Sequence, residues 1–517
     1  MENTKIEDIY NVLDTLKYQE LLSLDEDFFK QLATKYHFDF VDLDKKNDFE
    51  KYLYVLPLTL MEKYNFFCYQ EDDENLYIVS YKPLKDDGLT KIQNIFRTKN
   101  ICLSIAEFSK FEYFFKKIIF LIKFKNYSQE LEKILNSKNT QESDYLEQIL
   151  LLILSYANFL KASDMHFEPL ENIVKLRFRI DGILQDIIYF KYDIYQSLLT
   201  YIKMISLLNV AEQKNSQDGS FTMELEDQKF DFRVSIMPLL FGQGVVIRIL
   251  KQENTFKFEK LFLEEEISNK IKANIQALNG LILFCGPTGS GKSTFMHTIL
   301  NEIDENKKIL TLEDPIEYKL KNAQQILLNT KANFDFHKAL RGVLRQDPDV
   351  IMVGEIRDEE SLDIVLKASL SGHLVLSTLH TNSALEAIFR MMHMGAKSYL
   401  IARSLKLIVS QRLVRKLCEC KKEQEENFIY KNKTIKDKFY KAKGCSKCMM
   451  SGYKGRIMVA EFLFVDQNIK NMIENNYSFD DIQNYAIKHN FISLSEDALN
   501  KARMGLTSID EIWKIML

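Results

Sequence analysis

A multidomain α/β protein built around a parallel sheet that cradles phosphate is the fold class the sequence predicts, and three observations predict it. Leu281–Cys285 (LILFC) is a short apolar run, followed by GPTGSGKST and then by an apolar helical stretch, FMHTIL. Three later apolar runs, at 309–313, 350–353 and 373–380, end in acids or histidines, as parallel strands do when their carboxyl ends carry a site. The chain has 517 residues, 46% hydrophobic and 27% charged, which is material for two to four domains with full cores.

Composition narrows the function. Only 17 glycines and 7 prolines occur, so short loops and many helices are expected. The net charge of −4 and pI near 6.2 give no general attraction to nucleic acid, and no direct nucleic-acid contact is expected. The N-terminus, MENTKIEDIYNVLD, lacks the shape of a signal peptide. The most apolar stretches, Tyr113–Phe124 and Ile149–Leu160, are shorter than a membrane span and read as core helices, with surface membrane contact as the alternative for the first. Cys68, Cys102 and Cys285 are scattered, as in a reducing compartment, and a cytoplasmic protein is expected.

Residues 1–115 read as an independent α/β unit. Ile6, Ile9, Tyr10, Leu13 and Leu16 follow helical spacing, and Leu76–Tyr81 alternates like a strand. Nothing catalytic clusters there, so docking is its expected role. Residues 116–142 are assigned as a linker, on the polar, charged run from about 125.

A second domain is expected over 143–255. A helix at Tyr145–Ala162 leads into ASDMHFEP, and Val174–Ile180 alternates, with Arg177 and Arg179 on one face and Leu176, Phe178 and Ile180 on the other. Asp181-Gly182 is a hairpin turn. A helix near Ile194–Leu208 follows, then strands near Phe221–Leu225, Phe230–Met237 and Val245–Leu250, with Arg233 and Arg248 inside strands. These arginines are either a solvated sheet face or groups that reach a γ-phosphate across a cleft.

The third domain is expected over 256–517. Gln252–Asn279 reads as a charged, largely helical lead-in. In Gly286-Pro287-Thr288-Gly289-Ser290-Gly291-Lys292-Ser293-Thr294 the glycines let backbone N–H groups turn toward phosphate oxygens, and the following helix adds unpaired donors and a positive dipole end. Lys292 supplies charge to the β- and γ-phosphates, and the Ser293 hydroxyl is placed for Mg²⁺. Glu313, Asp314 and Glu317 follow the run at 309–313, Glu355 follows the run at 350–353, and His373 and His380 bracket the third. Each acid alone could be a helix cap. Beside a phosphate loop they point to phosphoryl transfer to water, with one carboxylate near Mg²⁺ and another orienting the water. Arg341, Arg345 and Arg357 are further candidates for transition-state charge.

Cys418-Glu-Cys420 is followed 25 positions later by Cys445-Ser-Lys-Cys448, within an expected small segment 415–460. Two such pairs point to a closed four-cysteine Zn²⁺ site. The alternatives are three cysteines with another ligand, or reduced, half-buried thiols.

On these motifs the sequence resembles the secretion ATPases of type II secretion systems and type IV pilus assembly. The matching segments are GPTGSGKST, TLEDPIE at 311–317, RQDPDVIMVGEIRD at 345–358, GHLVLSTLHTN at 372–382, ASDMHFEP, RFRIDG at 177–182, FRVS at 232–235, VIRIL at 246–250 and GLTS at 505–508. They cover roughly residues 143–517. The resemblance implies a RecA-like ATPase domain after a PAS-like domain, with a helical segment at 461–517. It also implies a homo-hexamer with ATP and Mg²⁺ at Lys292, Ser293 and Glu355, and water activation by Glu317 or Glu313. His380 would sense nucleotide state, Arg177, Arg179, Arg233 and Arg248 would line the cleft, and an inner-membrane platform protein would be driven to assemble a pilus or pseudopilus. Peripheral association with the inner membrane, through partners, follows. Gln213 and Lys214 stand where the family has paired arginines, and CxC stands where it has CxxC. A hexameric nucleic-acid translocase is the alternative, and the charge balance weighs against it.

Overall fold

β-Branched and aromatic runs broken by polar turns become strands here, and they sort by burial. Runs apolar throughout lie inside one parallel sheet, while alternating runs form an antiparallel one. The computed structural model describes residues 13, 15–46, 48–84, 86–137, 142–250, 258–261, 263–276, 279–314, 316, 318–327, 336–430 and 433–516. The helical spacing expected from Ile6 to Tyr10 lies outside them, as does Glu317. Two compact units result: residues 1–250 with 443–452, and residues 251–442 with 453–517.

The first unit holds two sheets. Strands β1 (Asp39–Phe40), β2 (Phe67–Glu71), β3 (Asn75–Ser80) and β4 (Asn100–Ile105) lie in the order β1-β4-β3-β2, with β2 antiparallel to β3 and the other pairs parallel. Strands β5 (Asp164–Pro169), β6 (Ile173–Ile180), β7 (Ile183–Lys191), β8 (Gln217–Leu225), β9 (Gln228–Leu239) and β10 (Gly242–Leu250) form an antiparallel sheet in the order β7-β6-β5-β10-β9-β8. Asp181 and Gly182 both have positive φ, 49° and 87°, as the hairpin turn between β6 and β7 requires. Val174, Leu176 and Phe178 are wholly buried on one face of β6, with Met165, Phe167, Phe232 and Ile247 in the same core.

The stretch assigned as a linker, 116–142, is helical as far as Ser137. One helix runs over Phe108–Ser137 and a second over Glu142–Phe159. Polarity drew the linker assignment, but the run contains no glycine or proline, and Phe120, Phe124 and Leu131 fall on one helical face that packs into the core with Leu146, Ile149 and Ile153 of the second helix. Among the described residues no helix is long and apolar enough to cross a membrane.

The second unit is built on seven strands. They are β11 (Gly280–Cys285), β12 (Ile309–Glu313), β13 (Ala323–Leu327), β14 (Val350–Val353), β15 (Leu374–Leu379) and β16 (Leu405–Leu417), with β19 (Tyr453–Phe464) at the edge. Between the last two lies a hairpin of β17 (Lys422–Tyr430) and β18 (Lys433–Lys441). The order is β13-β12-β14-β15-β11-β16-β19, parallel except for β19. Every residue of β11, β12, β14 and β15 is buried, and apolar clusters cover both faces of the sheet. The expected α/β class with a central parallel sheet is what the structure has.

Candidate active site at the carboxyl edge of the parallel sheet

Because β11, β12, β14 and β15 run parallel and adjoin in the order β12-β14-β15-β11, whatever follows each strand emerges along one edge. The phosphate loop follows β11, His380 follows β15, Glu355 lies two positions past β14, and Glu313 ends β12. Four segments far apart in sequence thereby meet in an order the topology sets.

Gly286, Gly289 and Gly291 all have positive φ, at 139°, 79° and 89°. A Cβ at Gly286 would sit 2.5 Å from the Gln411 carbonyl oxygen, so only glycine lets the loop turn there. Gln411 Nε2, itself buried, donates to Ser290 O at 2.9 Å, and Arg412 Nη2 donates to Asn382 Oδ1 at 3.1 Å. Thus β16 braces the loop from behind. Lys292 Nζ donates to Gly286 O (2.7 Å) and Pro287 O (3.0 Å). Ser290 Oγ is buried without a hydrogen-bond partner inside the loop. A glycine cradle, a buried lysine and an orphaned hydroxyl at a helix N-terminus fit an anion the size of phosphate. Ser293 opens that helix, Lys292–Asn301, directly after the lysine.

Glu355 is fixed by its neighbours. Thr378 Oγ1 donates to Gly354 O (2.7 Å), and Ile356 N donates to Thr378 O (3.0 Å), so the chain around Glu355 is stitched to β15. The Glu355 carboxylate pairs with Arg357 Nε and lies 3.3 Å from His380 Nε2. The acid of the second motif and the histidine of the third therefore touch. Asp314 Oδ2 is 3.9 Å from Arg357, which extends the polar chain toward β12. Of the other candidate arginines, Arg341 pairs with Glu360 at 2.6 Å and Arg345 donates to Arg341 O at 3.0 Å.

Glu313, one of the two acids expected to activate water, ends β12 inside the protein. It is buried, and its carboxylate meets Thr311 Oγ1 (2.8 Å), Gln325 Nε2 (3.1 Å) and His297 Nε2 (3.2 Å). Burial works against its charge, yet the bonds from His297, Gln325 and Thr311 hold its carboxyl below the usual carboxylate range.

In the first unit the four arginines share one sheet face. Strand register sets Arg179 opposite Asp164, Asp164 opposite Arg248, and Arg248 opposite Arg233, a single row across β6, β5, β10 and β9. Arg248 Nε donates to Asp164 at 2.7 Å, and Arg179 Nε lies 3.8 Å from it. Arg177, two residues along, pairs with Asp186 (3.2 Å) and Glu168 (3.4 Å).

The four cysteines come together. β16 and β19 pair as far as Leu417↔Tyr453, so Cys418 and Cys420 leave one strand where the turn carrying Cys445 and Cys448 enters the other. All four Sγ atoms lie within 4.8 Å of one another, and Cys445 and Cys448 Sγ are 3.7 Å apart. Four thiolates around one Zn²⁺ at 2.3 Å stand about 3.8 Å apart, so the donor set fits that ion. Cys448 Sγ accepts from the N–H groups of Cys445 and Gly452, each at 3.1 Å, the bonds that stabilise a thiolate.

The motifs do not reveal Gln411, Arg412 or His297. Their only sequence signal is a polar residue inside an apolar run, SQR within LKLIVSQRLV and His297 within FMHTIL.

The comparisons with known proteins agree with this geometry. The family model "Type II/IV secretion system protein" matches residues 139–514. The chain is 38% identical over 395 residues to the Type II secretion system protein E of Aeromonas hydrophila, covering 74% of this chain and 79% of that one. It is 39% identical over 367 residues to the Type IV pilus assembly ATPase PilB of Pseudomonas aeruginosa, covering 68% and 64%. The crystal structure of the pilus retraction motor PilT with bound ADP superposes with a TM-score of 0.51 at 26% identity, over 71% of this chain and 96% of that one. A phosphate loop, an acid and a histidine on one sheet edge, set within a match that covers most of the chain, place this protein in the type II/IV secretion system family of secretion and pilus ATPases.

Proposed function

We propose that this chain is a Mg²⁺-dependent ATPase that works as a homo-hexameric ring. It powers assembly of a pilus or pseudopilus, for type II secretion, type IV pilus extension or competence-type DNA uptake, by driving an inner-membrane platform protein. The contact between Glu355 and His380 carries this reading, because it joins two motifs at the sheet edge from which the phosphate loop also emerges.

The loop from Gly286 to Thr294 offers its N–H groups to the phosphates, and Lys292 exchanges the carbonyls of Gly286 and Pro287 for phosphate oxygens. Mg²⁺, when bound, neutralises phosphate charge, with Ser293 and Glu355 as the residues that would hold it and its shell. Of the two candidate acids, Glu317 is proposed to orient the attacking water, since Glu313 is engaged by three partners. His380, in touch with Glu355, registers whether the γ-phosphate is in place. Arg177, Arg179, Arg233 and Arg248 answer the developing charge, and Asp164 keeps that row from mutual repulsion. Cys418, Cys420, Cys445 and Cys448 would hold Zn²⁺ as a closed structural site. Residues 1–115 dock the motor on its membrane partners.

ATP hydrolysis measured against protein concentration, with sizing of the same samples, tests the reading. Specific activity should rise as hexamers form. Activity that is flat with concentration and comes from a monomer overturns the ring.

A further inference from the structure

We infer that His297 and Glu313 are a pair of positioning residues that fix the chain leaving β12 to the helix that begins with Lys292 and Ser293, and so set Asp314, directly after β12, relative to the phosphate loop. The inference rests on the ATPase reading above and adds to it a residue, His297, that belongs to none of the motifs.

His297 is wholly buried five positions after Lys292, among Phe295, Met296, Ile299 and Leu300 of the same helix. A buried imidazole in apolar surroundings is costly unless it is bonded. Its Nε2 lies 3.2 Å from Glu313 Oε2, while Glu313 Oε1 accepts from Thr311 and Gln325. Gln325 Nε2 also donates to Tyr318 O (2.8 Å), and Gln325 Oε1 accepts from Leu320 N (2.9 Å). The Tyr318 ring meets the His297 ring edge-on, with centroids 5.5 Å apart. Chain that leaves the sheet at Glu313 is therefore tied again at Tyr318 and Leu320, to the same frame of His297 and Gln325. Asp314, which faces Arg357, follows the first of those ties directly. The bonds from His297 Nε2, Thr311 and Gln325 to Glu313 tie together the elements that carry them. Here those elements are the phosphate-binding helix and strands β12 and β13.

The test uses the full-length chain with His297→Ala, His297→Gln, Glu313→Gln and the double variant His297→Ala/Glu313→Gln. It reads steady-state ATP hydrolysis, binding of a fluorescent ATP analogue and thermal unfolding. His297→Ala should lose about tenfold or more in kcat, with KM and analogue affinity within about twofold of wild type. His297→Gln, whose amide can donate toward Glu313, should recover most of that loss. The double variant should be no slower than the slower single variant, as for two residues acting as one unit. Wild-type kcat in His297→Ala overturns the inference, as does a loss that His297→Gln fails to restore at unchanged melting temperature. Should His297→Ala melt early, the isosteric Glu313→Gln decides, and wild-type turnover there overturns it. Lys292→Ala separates the two claims: wild-type turnover in that variant sinks the ATPase reading itself, whereas an inactive Lys292→Ala beside a fully active His297→Ala sinks only the positioning role.

Discussion

Asp358 shows what one side chain does for the site. It follows Glu355 by three positions and caps the helix Glu359–Leu370, accepting from Ser361 Oγ (2.6 Å) and Ser361 N (2.8 Å), with His337 Nε2 at 3.2 Å. The Ser361 hydroxyl and amide, with His337 beyond them, hold its carboxyl down to about 2. The folded value lies below the unfolded one near 4, so the stabilisation is complete above about pH 4 and is lost as pH falls through 2. Asp358→Ala should cost about 1 kcal/mol at neutral pH. Urea midpoints of variant and wild type, compared from pH 7 down, should converge toward pH 2, and a gap constant over that range refutes the cap. The phosphate loop was legible in the sequence because its motif is contiguous. Gln411 was not legible, since the carbonyl it holds, on Ser290, is 121 positions away. The seating of Glu313 was hidden for the same reason. TLEDPIE shows three acids alike, and only the packing of His297 and Gln325 distinguishes the first.

Secondary structure was legible wherever periodicity and turn chemistry agreed, as at Val174–Ile180 with its Asp-Gly turn, or in the short apolar runs that became β11, β12, β14 and β15. Polarity alone is a weaker guide. The helix Phe108–Ser137 carries its buried face through a charged stretch, because Leu131 keeps the spacing set by Phe120 and Phe124. The hairpin of β17 and β18 gave no warning, since KEQEENFIY and KTIKDKFYK have neither clear alternation nor a glycine turn. Its base is the cysteine cluster. Closed structural zinc contributes roughly 10–16 kcal/mol of apparent folding free energy in small finger peptides, so local order at this base should depend on the ion. The paired core of β16 should not, because Leu407 and Val409 are wholly buried in the sheet. Freshly purified protein should hold about one zinc per chain. Chelation should speed hydrogen exchange at 418–420 and 445–452 and leave 281–285 and 405–411 protected. Absence of zinc, or unchanged exchange after its removal, counts against the site.

For the molecule as a whole, the distribution of charge bears on the proposed motor and on whether nucleic acid engages it. The net charge is −4, and several cations among the described residues are engaged by acids. Arg248 pairs with Asp164, and Arg177 with Asp186 and Glu168. Lys110 meets Glu26 and Asp42 at 2.7 Å each, with Asp44 at 3.6 Å and Glu107 at 3.8 Å. A duplex binds by exchanging its counterions for free lysines and arginines, and the affinity then falls steeply with salt. A cation already paired must first break that pair, so it contributes little to such binding. ATP turnover should therefore be indifferent to single- and double-stranded DNA. Titrating either nucleic acid into the full-length protein at low and at physiological salt checks this. Strong stimulation that fades as salt is raised would favour a nucleic-acid translocase. A flat response at both salts leaves the energy of hydrolysis to be delivered to a protein partner.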